Sequence, residues 1–167
     1  WAEGSEAIAE VYEQGPNSCM SGRSRGDFNP VEAYGYKSED GTYQLKVAYT
    51  VNQSGTPVSR CLCDTKNMVF CRSYGDDGPI LESHLATLGY KRVDSMGGYG
   101  IRILVQESDG YYYVPYLDGD DKGIEGKHYV LYFSPSPVSL TALTSSDARK
   151  HQILNCNHHS DIQVIRS

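Results

Sequence analysis

Residues 13 to 23, EQGPNSCMSGR, contain residue types used by thiol hydrolases. Gln14 lies five residues before Cys19, and His128 opens a later apolar segment. Papain-like peptidases use such a Gln to donate a hydrogen bond to the oxyanion, the Cys as nucleophile and the His to accept its proton. However, Gly22 and the RSRGD that follows are a poor start for the helix that would lower the thiol pKa. A turn cysteine and a surface histidine are therefore the preferred interpretation, and catalysis by Cys19, His128 and Gln14 is the alternative.

A second group of cysteines has the residue types of a zinc site. Cys61 and Cys63 alternate along a predicted strand, so their side chains point to the same face. If the next strand forms a hairpin with this one, Cys71 lies near them, and Cys156 is available as a fourth ligand. Small buried cysteines on a core face explain the same spacing without metal, and C-x-C lacks the tight knuckle of C-x-x-C. We predict no cofactor and keep a zinc-stabilised interaction domain as a second alternative.

The third group is cationic and aromatic. Arg60 and Arg72 lie on predicted neighbouring strands, on the faces opposite the cysteines. Two adjacent guanidiniums need an acidic partner or an external anion. Arg23 and Arg25 follow Cys19, and Tyr74 lies two residues after Arg72. We predict that these five residues form a binding surface for a host protein, a nucleotide or a short nucleic acid.

The elements that position these residues follow from the hydrophobic pattern. SEAIAEVYEQ, residues 5–14, predicts a helix that Gly15 and Pro16 end. Strands are predicted at 43–51, 58–64, 68–74, 99–106, 111–117 and 127–133, where apolar residues alternate or cluster between turn residues. GDDGP predicts a second helix that begins near Pro79, ends before Gly89 and buries Ile80, Leu81, His84, Leu85 and Leu88.

Length and composition limit the class of protein. The 167 residues suffice for one domain with a core. The net charge of −6 argues against broad binding to a phosphate backbone. Because no apolar run approaches about 20 residues, we expect no membrane contact, and residues 1–12 are too acidic for a signal peptide. The odd number of five cysteines favours free thiols in a reducing compartment.

Several short segments of the sequence resemble segments of a known protein family. VYEQGPNSCMSG, PVEAYG, LKVAYT, SRCLCDT, FCRSYGD, LGYK and VPYLDGD, in this order, resemble a family of tailed-bacteriophage proteins. Members of that family combine G-P-x-S-C-M-S, R-x-Y-G and P-Y-x-D-G segments, and the similarity covers roughly residues 11 to 121. The resemblance implies a phage origin and a location in the host cytoplasm or the virion, and it implies no particular activity.

Together these observations predict one α+β domain with a mainly antiparallel sheet, an N-terminal helix and one helix after the fourth strand. We expect residues 1–134 to form the compact domain and residues 135–167 a weakly patterned C-terminal extension. The predicted function is that of a small phage-type accessory protein that acts by binding.

Overall fold

The computed structural model describes residues 1–18, 30–94, 96, 101–108, 111–115, 130–133, 138–139 and 151–154. Its helices are α1 (Ser5–Gln14), a 3-10 helix (Pro30–Gly35) and α2 (Gly78–Thr87). Its strands are β1 (Leu45–Val51), β2 (Pro57–Asp64), β3 (Val69–Gly75), β4 (Lys91–Arg92), β5 (Arg102–Ser108), β6 (Tyr111–Pro115), β7 (Val130–Phe133), β8 (Val138–Ser139) and β9 (His151–Leu154). The α+β class is confirmed.

The first sheet has the strand order β1-β2-β3-β4 and is mainly antiparallel, as predicted. Only β4 runs parallel to its neighbour, β3. Opposite β2, strand β3 contains one extra residue, because Cys61 faces Ser73 while Cys63 faces Phe70. This bulge interrupts the two-residue alternation of β3 next to Cys71.

Helices cover both faces of this sheet. The face turned to α2 carries a buried cluster of Ala48, Cys61, Cys63, Phe70, Leu81 and Leu85, with Tyr90 packed against it. The side chains of Val47 and Leu62 alternate with this cluster and therefore point to the opposite face. There α1 and the 3-10 helix contact the sheet. The core of this part of the chain is thus a helix–sheet–helix sandwich.

Helix α1 forms where its sequence predicts it. Ile8, Val11 and Tyr12 are buried at the i, i+3 and i+4 spacing of one helix face. The helix ends at Gly15, whose N–H donates to the carbonyl of Val11 at 2.9 Å, and Pro16 follows immediately. Proline lacks a backbone N–H and cannot continue the helical hydrogen bonding.

Helix α2 follows the third strand of the described chain, one strand earlier than we expected. Of the predicted inner residues, Leu81 and Leu85 are buried against the sheet. Ile80 is 66% exposed and Leu88 is 45% exposed. A short helix packed on a sheet buries only a narrow face, here the i, i+4 pair Leu81 and Leu85. The wider apolar face predicted from the sequence therefore lies partly in solvent.

The remaining strands form a second sheet in the order β8-β7-β5-β6-β9. β5 pairs antiparallel with β6 and parallel with β7, and β6 pairs parallel with β9. Two short strands, β8 and β9, thus belong to the predicted extension of residues 135–167 and pair with β7 and β6. The boundary at residue 134 stays a prediction.

Candidate functional site

Arg60 lies in the interior of the protein. It is on β2, opposite Tyr49 of β1 and Tyr74 of β3. Strand alternation places it on the same face as Leu62, which is the face covered by α1. The side chain is only 2% exposed. A fully charged residue at this depth requires compensating contacts.

Aromatic rings and one carbonyl supply those contacts. The guanidinium carbon lies 4.3 Å from the centroid of the Tyr12 ring and 4.9 Å from that of the Tyr74 ring. Nη1 donates a hydrogen bond of 2.7 Å to the carbonyl oxygen of Pro16. Nε is buried and has no hydrogen-bond partner among the described residues. A planar guanidinium can stack on ring faces and still donate in its own plane, which a lysine ammonium cannot do.

We call Arg60, Tyr12, Tyr74 and Pro16 the arginine cluster. It joins α1, the segment after α1 and the β2–β3 hairpin. Gly75 allows the close approach, because a Cβ at this position would lie 2.9 Å from Cγ of Pro16. The hydrogen bond from Arg60 to Pro16 therefore links the segment that follows α1 to the sheet.

The arginine cluster determines whether Arg60 is accessible on the predicted cationic binding surface. The guanidinium of Arg60 is covered by its own protein, whereas Arg72 is exposed. In this structure the two arginines therefore do not present a shared open surface. Tyr74 is partly buried and stacks on Arg60. Arg23 and Arg25 lie outside the described residues.

The thiol-hydrolase alternative depends on Gln14, Cys19 and His128. Gln14 is exposed at the end of α1, and its Nε2 donates to Oε1 of Glu10 at 3.0 Å. Cys19 and His128 lie outside the described residues. The separation of their side chains, on which this alternative depends, therefore stays untested.

Three of the four cysteines of the zinc alternative are buried thiols outside any disulfide. Cys61 and Cys63 belong to the core cluster beneath α2, and Cys71 is buried beside the β3 bulge. The Cys61 thiol donates to the carbonyl of Arg72 at 3.2 Å. Within the described ranges no group of three or more His, Cys, Asp or Glu side chains is arranged to hold a metal ion. Cys156 lies outside those ranges.

The structure contains a surface that the sequence did not indicate, an open cleft of about 360 Å³ between α1 and the β1–β2 hairpin. We call it the α1–β1 cleft. Its lining consists of Trp1, Ala2, Glu3, Ala7, Glu10, Val11, Gln14, Tyr49, Val51, Gly55 and Pro57. Trp1 is 52% exposed and Val51 is 51% exposed. Large apolar side chains so placed at a concave surface are typical of recognition sites.

One wall of the cleft is the edge of the first sheet. Ala2 pairs antiparallel with Val47, and each residue donates its N–H to the other's carbonyl, at 2.8 and 2.9 Å. Because backbone groups two residues apart face the same edge of a strand, the N–H and C=O of Tyr49 also point away from β2. Among the described residues no backbone hydrogen bond to this edge of Tyr49 is present.

The opposite wall is acidic. Glu3 and Glu10 line the cleft, and residues 1–22 contain no lysine or arginine. Lys46 forms an ion pair with Glu3 at 2.8 Å, and within the described ranges the carboxylate of Glu10 accepts a hydrogen bond from the neutral amide of Gln14. This uneven charge was the one signal in the sequence that could have indicated the cleft.

Trp1 connects the cleft to the other side of the sheet. Its ring lies 5.6 Å from that of Tyr90, centroid to centroid. Burial raises the pKa of the Tyr90 phenol above its ordinary value of 10.0, and the electrostatic influence of the neighbouring Cys63 and Asp64 raises it further. Tyr90 is therefore held in its neutral form beneath the indole.

Within the part of the chain that the structure describes, no helix has the length and apolar character required to cross a membrane.

Comparison with known proteins identifies no relative. The chain gives no match to protein-family models, to curated proteins or to solved structures.

Proposed function

We propose that this protein acts by binding another protein, and that the α1–β1 cleft is the recognition site. The observation that carries the proposal is the combination of a concave surface with exposed Trp1 and Val51 in one place. Aromatic side chains are enriched at protein interfaces because they bury much area and lose little conformational entropy. The phage-type accessory role, with a host protein as partner, is part of this proposal and is supported by the order of the sequence motifs.

Charge favours a protein over a nucleotide at this site. Glu3 and Glu10 line the cleft and would repel a phosphate. Arg60, the cation we expected to attract an anion, instead lies over two tyrosine rings and donates to a backbone carbonyl. A nucleotide would thus have to bind away from both features.

A pair of matched variants tests the site. Ala7 lines the cleft from α1, and Ala86 is exposed on α2. Ala7→Arg should fill the cleft with a long cationic side chain, whereas Ala86→Arg makes the same chemical change elsewhere. Both positions are helical, so the intrinsic cost to the helix is similar and small. Circular dichroism and thermal melting of both variants check that they fold.

The assay selects peptides from a displayed random library on the wild-type protein and measures the affinity of the enriched peptides for each variant. We expect Ala7→Arg to weaken binding by at least about tenfold, a loss of ~1.4 kcal/mol, and Ala86→Arg to leave it unchanged. Equal binding by both variants would exclude the cleft as the site. If no peptide is enriched while mononucleotides or short oligonucleotides bind, the proposal of a protein partner is wrong.

A further inference from the structure

We infer that two copies of this chain associate through an exposed ridge of α2, with the two helices antiparallel across a two-fold axis at His84. We call Ile80, His84 and Leu88 the α2 ridge. The inference goes beyond the proposed function, because α2 covers one face of the first sheet while α1 and the α1–β1 cleft lie on the other side. It follows from the exposure, the spacing and the charge of this helix.

The α2 ridge presents two large apolar side chains to solvent. The helix rests on the sheet through Leu81 and Leu85. Beside that buried pair, Ile80 is 66% exposed, Leu88 is 45% exposed, and His84 between them is exposed. Burial of exposed apolar side chains is a main driving force of protein association. The α2 ridge is therefore suited to contact with another surface.

The apolar surface continues past the C-terminal end of the helix. Met68 is 39% exposed, and its Cε would lie 3.3 Å from a Cβ placed on Gly89, the residue after Leu88. The unbranched, flexible side chain of methionine adapts to the shape of an opposing surface. Met68 thus enlarges the apolar contact that a partner makes with this end of the ridge.

The spacing of the ridge favours a second copy of this chain as the partner. Residues four positions apart form one ridge on a helix surface, and two helices commonly pack by interdigitating such ridges. Ile80 and Leu88 each lie four positions from His84, so the ridge is symmetric about its central residue. A two-fold axis at His84 places Ile80 against Leu88 of the partner subunit, and symmetry repeats the same contact.

The charge of α2 also favours a second copy. Glu82 is the only aspartate, glutamate, lysine or arginine within the helix. It pairs with Arg92 at 3.3 Å and accepts the backbone N–H of Ser73 at 3.2 Å. The chain has a net charge of −6, and acidic surfaces of two copies repel each other. The α2 ridge avoids this repulsion because its own side chains carry no carboxylate.

The residues that flank α2 have opposite charges at its two ends. Asp76 and Asp77 precede the helix, and Lys91 and Arg92 follow it. Asp76 and Lys91 are exposed. When two copies of the helix pack antiparallel, the acidic flank of each copy approaches the basic flank of the other. The helix dipoles are opposed in the same arrangement. A parallel arrangement would instead bring like charges together.

Sedimentation velocity of the full chain tests the association. A pair of three-turn helices buries less area than an interface of standard size. We therefore expect a reversible dimer with a dissociation constant of about 10–100 µM. A chain that remains monomeric at about 500 µM would refute the inference.

A charge at the axis tests the geometry. His84→Glu brings two carboxylates together across the two-fold axis and should weaken the dimer at least about tenfold. The control is Ala86→Glu, which adds a carboxylate at an exposed position about 200° around the helix axis from His84. We expect it to leave the dimer unchanged, and circular dichroism checks that both variants fold. Equal dimerisation of the two variants would exclude His84 as the axis.

Mixed variants separate a contact at the axis from a general loss of stability. His84→Lys should also fail to dimerise by itself. A mixture of His84→Glu and His84→Lys should form a mixed dimer, because opposite charges then meet at the axis. If the mixture stays monomeric while the wild type dimerises, the two-fold arrangement is wrong. Lys91→Glu should weaken the wild-type dimer about two- to fivefold, and an unchanged dimer would contradict the pairing of the flanks.

Ala7→Arg distinguishes this contact from the α1–β1 cleft. Ala7 lines the cleft, so we expect Ala7→Arg to leave the α2 dimer unchanged. A dimer that Ala7→Arg disrupts and His84→Glu does not would assign the association to the cleft and overturn the inference.

Discussion

Replacement of Arg60 by methionine tests whether a buried arginine without a carboxylate partner among the described residues stabilises this fold. Arg60→Met keeps an unbranched side chain of similar length and removes the charge and the planar guanidinium. The structure attributes three contacts to that group: two tyrosine ring faces and the carbonyl of Pro16. All three are lost in the variant.

The expected change in the free energy of unfolding is the difference between the contacts that the variant loses and the desolvation penalty that it no longer has. Two buried cation–π contacts are worth about 1–2 kcal/mol each, and a hydrogen bond from a charged donor about 2 kcal/mol. Their loss costs about 5 kcal/mol. Because the variant no longer buries a charge, it avoids a desolvation penalty of about 3 kcal/mol, which offsets part of this loss. We therefore expect Arg60→Met to lower the free energy of unfolding by about 2 kcal/mol.

Urea unfolding followed by circular dichroism measures that free energy. The matched control is Arg72→Met, on the neighbouring strand, where the arginine is exposed and the expected change is within about 0.5 kcal/mol. Arg60→Lys provides a second comparison, because it keeps a charge and loses the stacking geometry; we expect it to be no better than methionine. Hydrogen exchange should also increase at residues 15–18 in Arg60→Met and not in Arg72→Met.

Two outcomes would refute this reasoning. If Arg60→Met is as stable as the wild type or more stable, the desolvation of the guanidinium outweighs its contacts. If Arg60→Lys is harmless, the tyrosine rings do not require a planar cation, and the arginine cluster is a coincidence of packing.

Three further predictions concern the described part of the chain. Gly55→Ala should lower the free energy of unfolding by about 1 kcal/mol, since this residue has φ +79 and open space around it. Gly75→Ala should lower it at least twice as much in urea unfolding, because the added Cβ would also collide with the Val58 carbonyl. Equal losses in the two variants would contradict the clash. Because the pKa of Tyr90 is raised in the folded state, its contribution to stability is complete below pH 10.0 and is lost as the pH rises through the folded-state pKa; Tyr90→Phe should flatten the alkaline decline in stability, and an unchanged decline would exclude Tyr90 as its source. The three buried thiols of β2 and β3 should react with a thiol reagent only as fast as the protein opens, so rapid labelling identified at these positions by mass spectrometry would show that the strands are accessible.

The sequence alone determined the local elements of the first sheet and its helices. Ile8, Val11 and Tyr12 follow the helical repeat, and Gly15 with Pro16 ends the helix. Such patterns are reliable because they reflect the geometry of one element on its own. The same local rule overestimated the buried face of α2, where Ile80 remains exposed. The sequence shows that a face is apolar, and the shape of the opposing sheet determines how much of it is buried.

The candidate sites depended on the tertiary structure. The sequence indicated that Arg60 would need compensation, but its contact with Pro16 joins residues 44 positions apart. The α1–β1 cleft likewise requires the N-terminal residues to pair with Val47 while α1 packs across the sheet. Periodicity records which face of an element is apolar, but it does not record which distant element covers that face. For this reason the sequence alone placed Arg60 on an open binding surface, and only the packing of α1 and β3 around it showed that Arg60 lies inside the protein and that an open cleft lies between α1 and the β1–β2 hairpin.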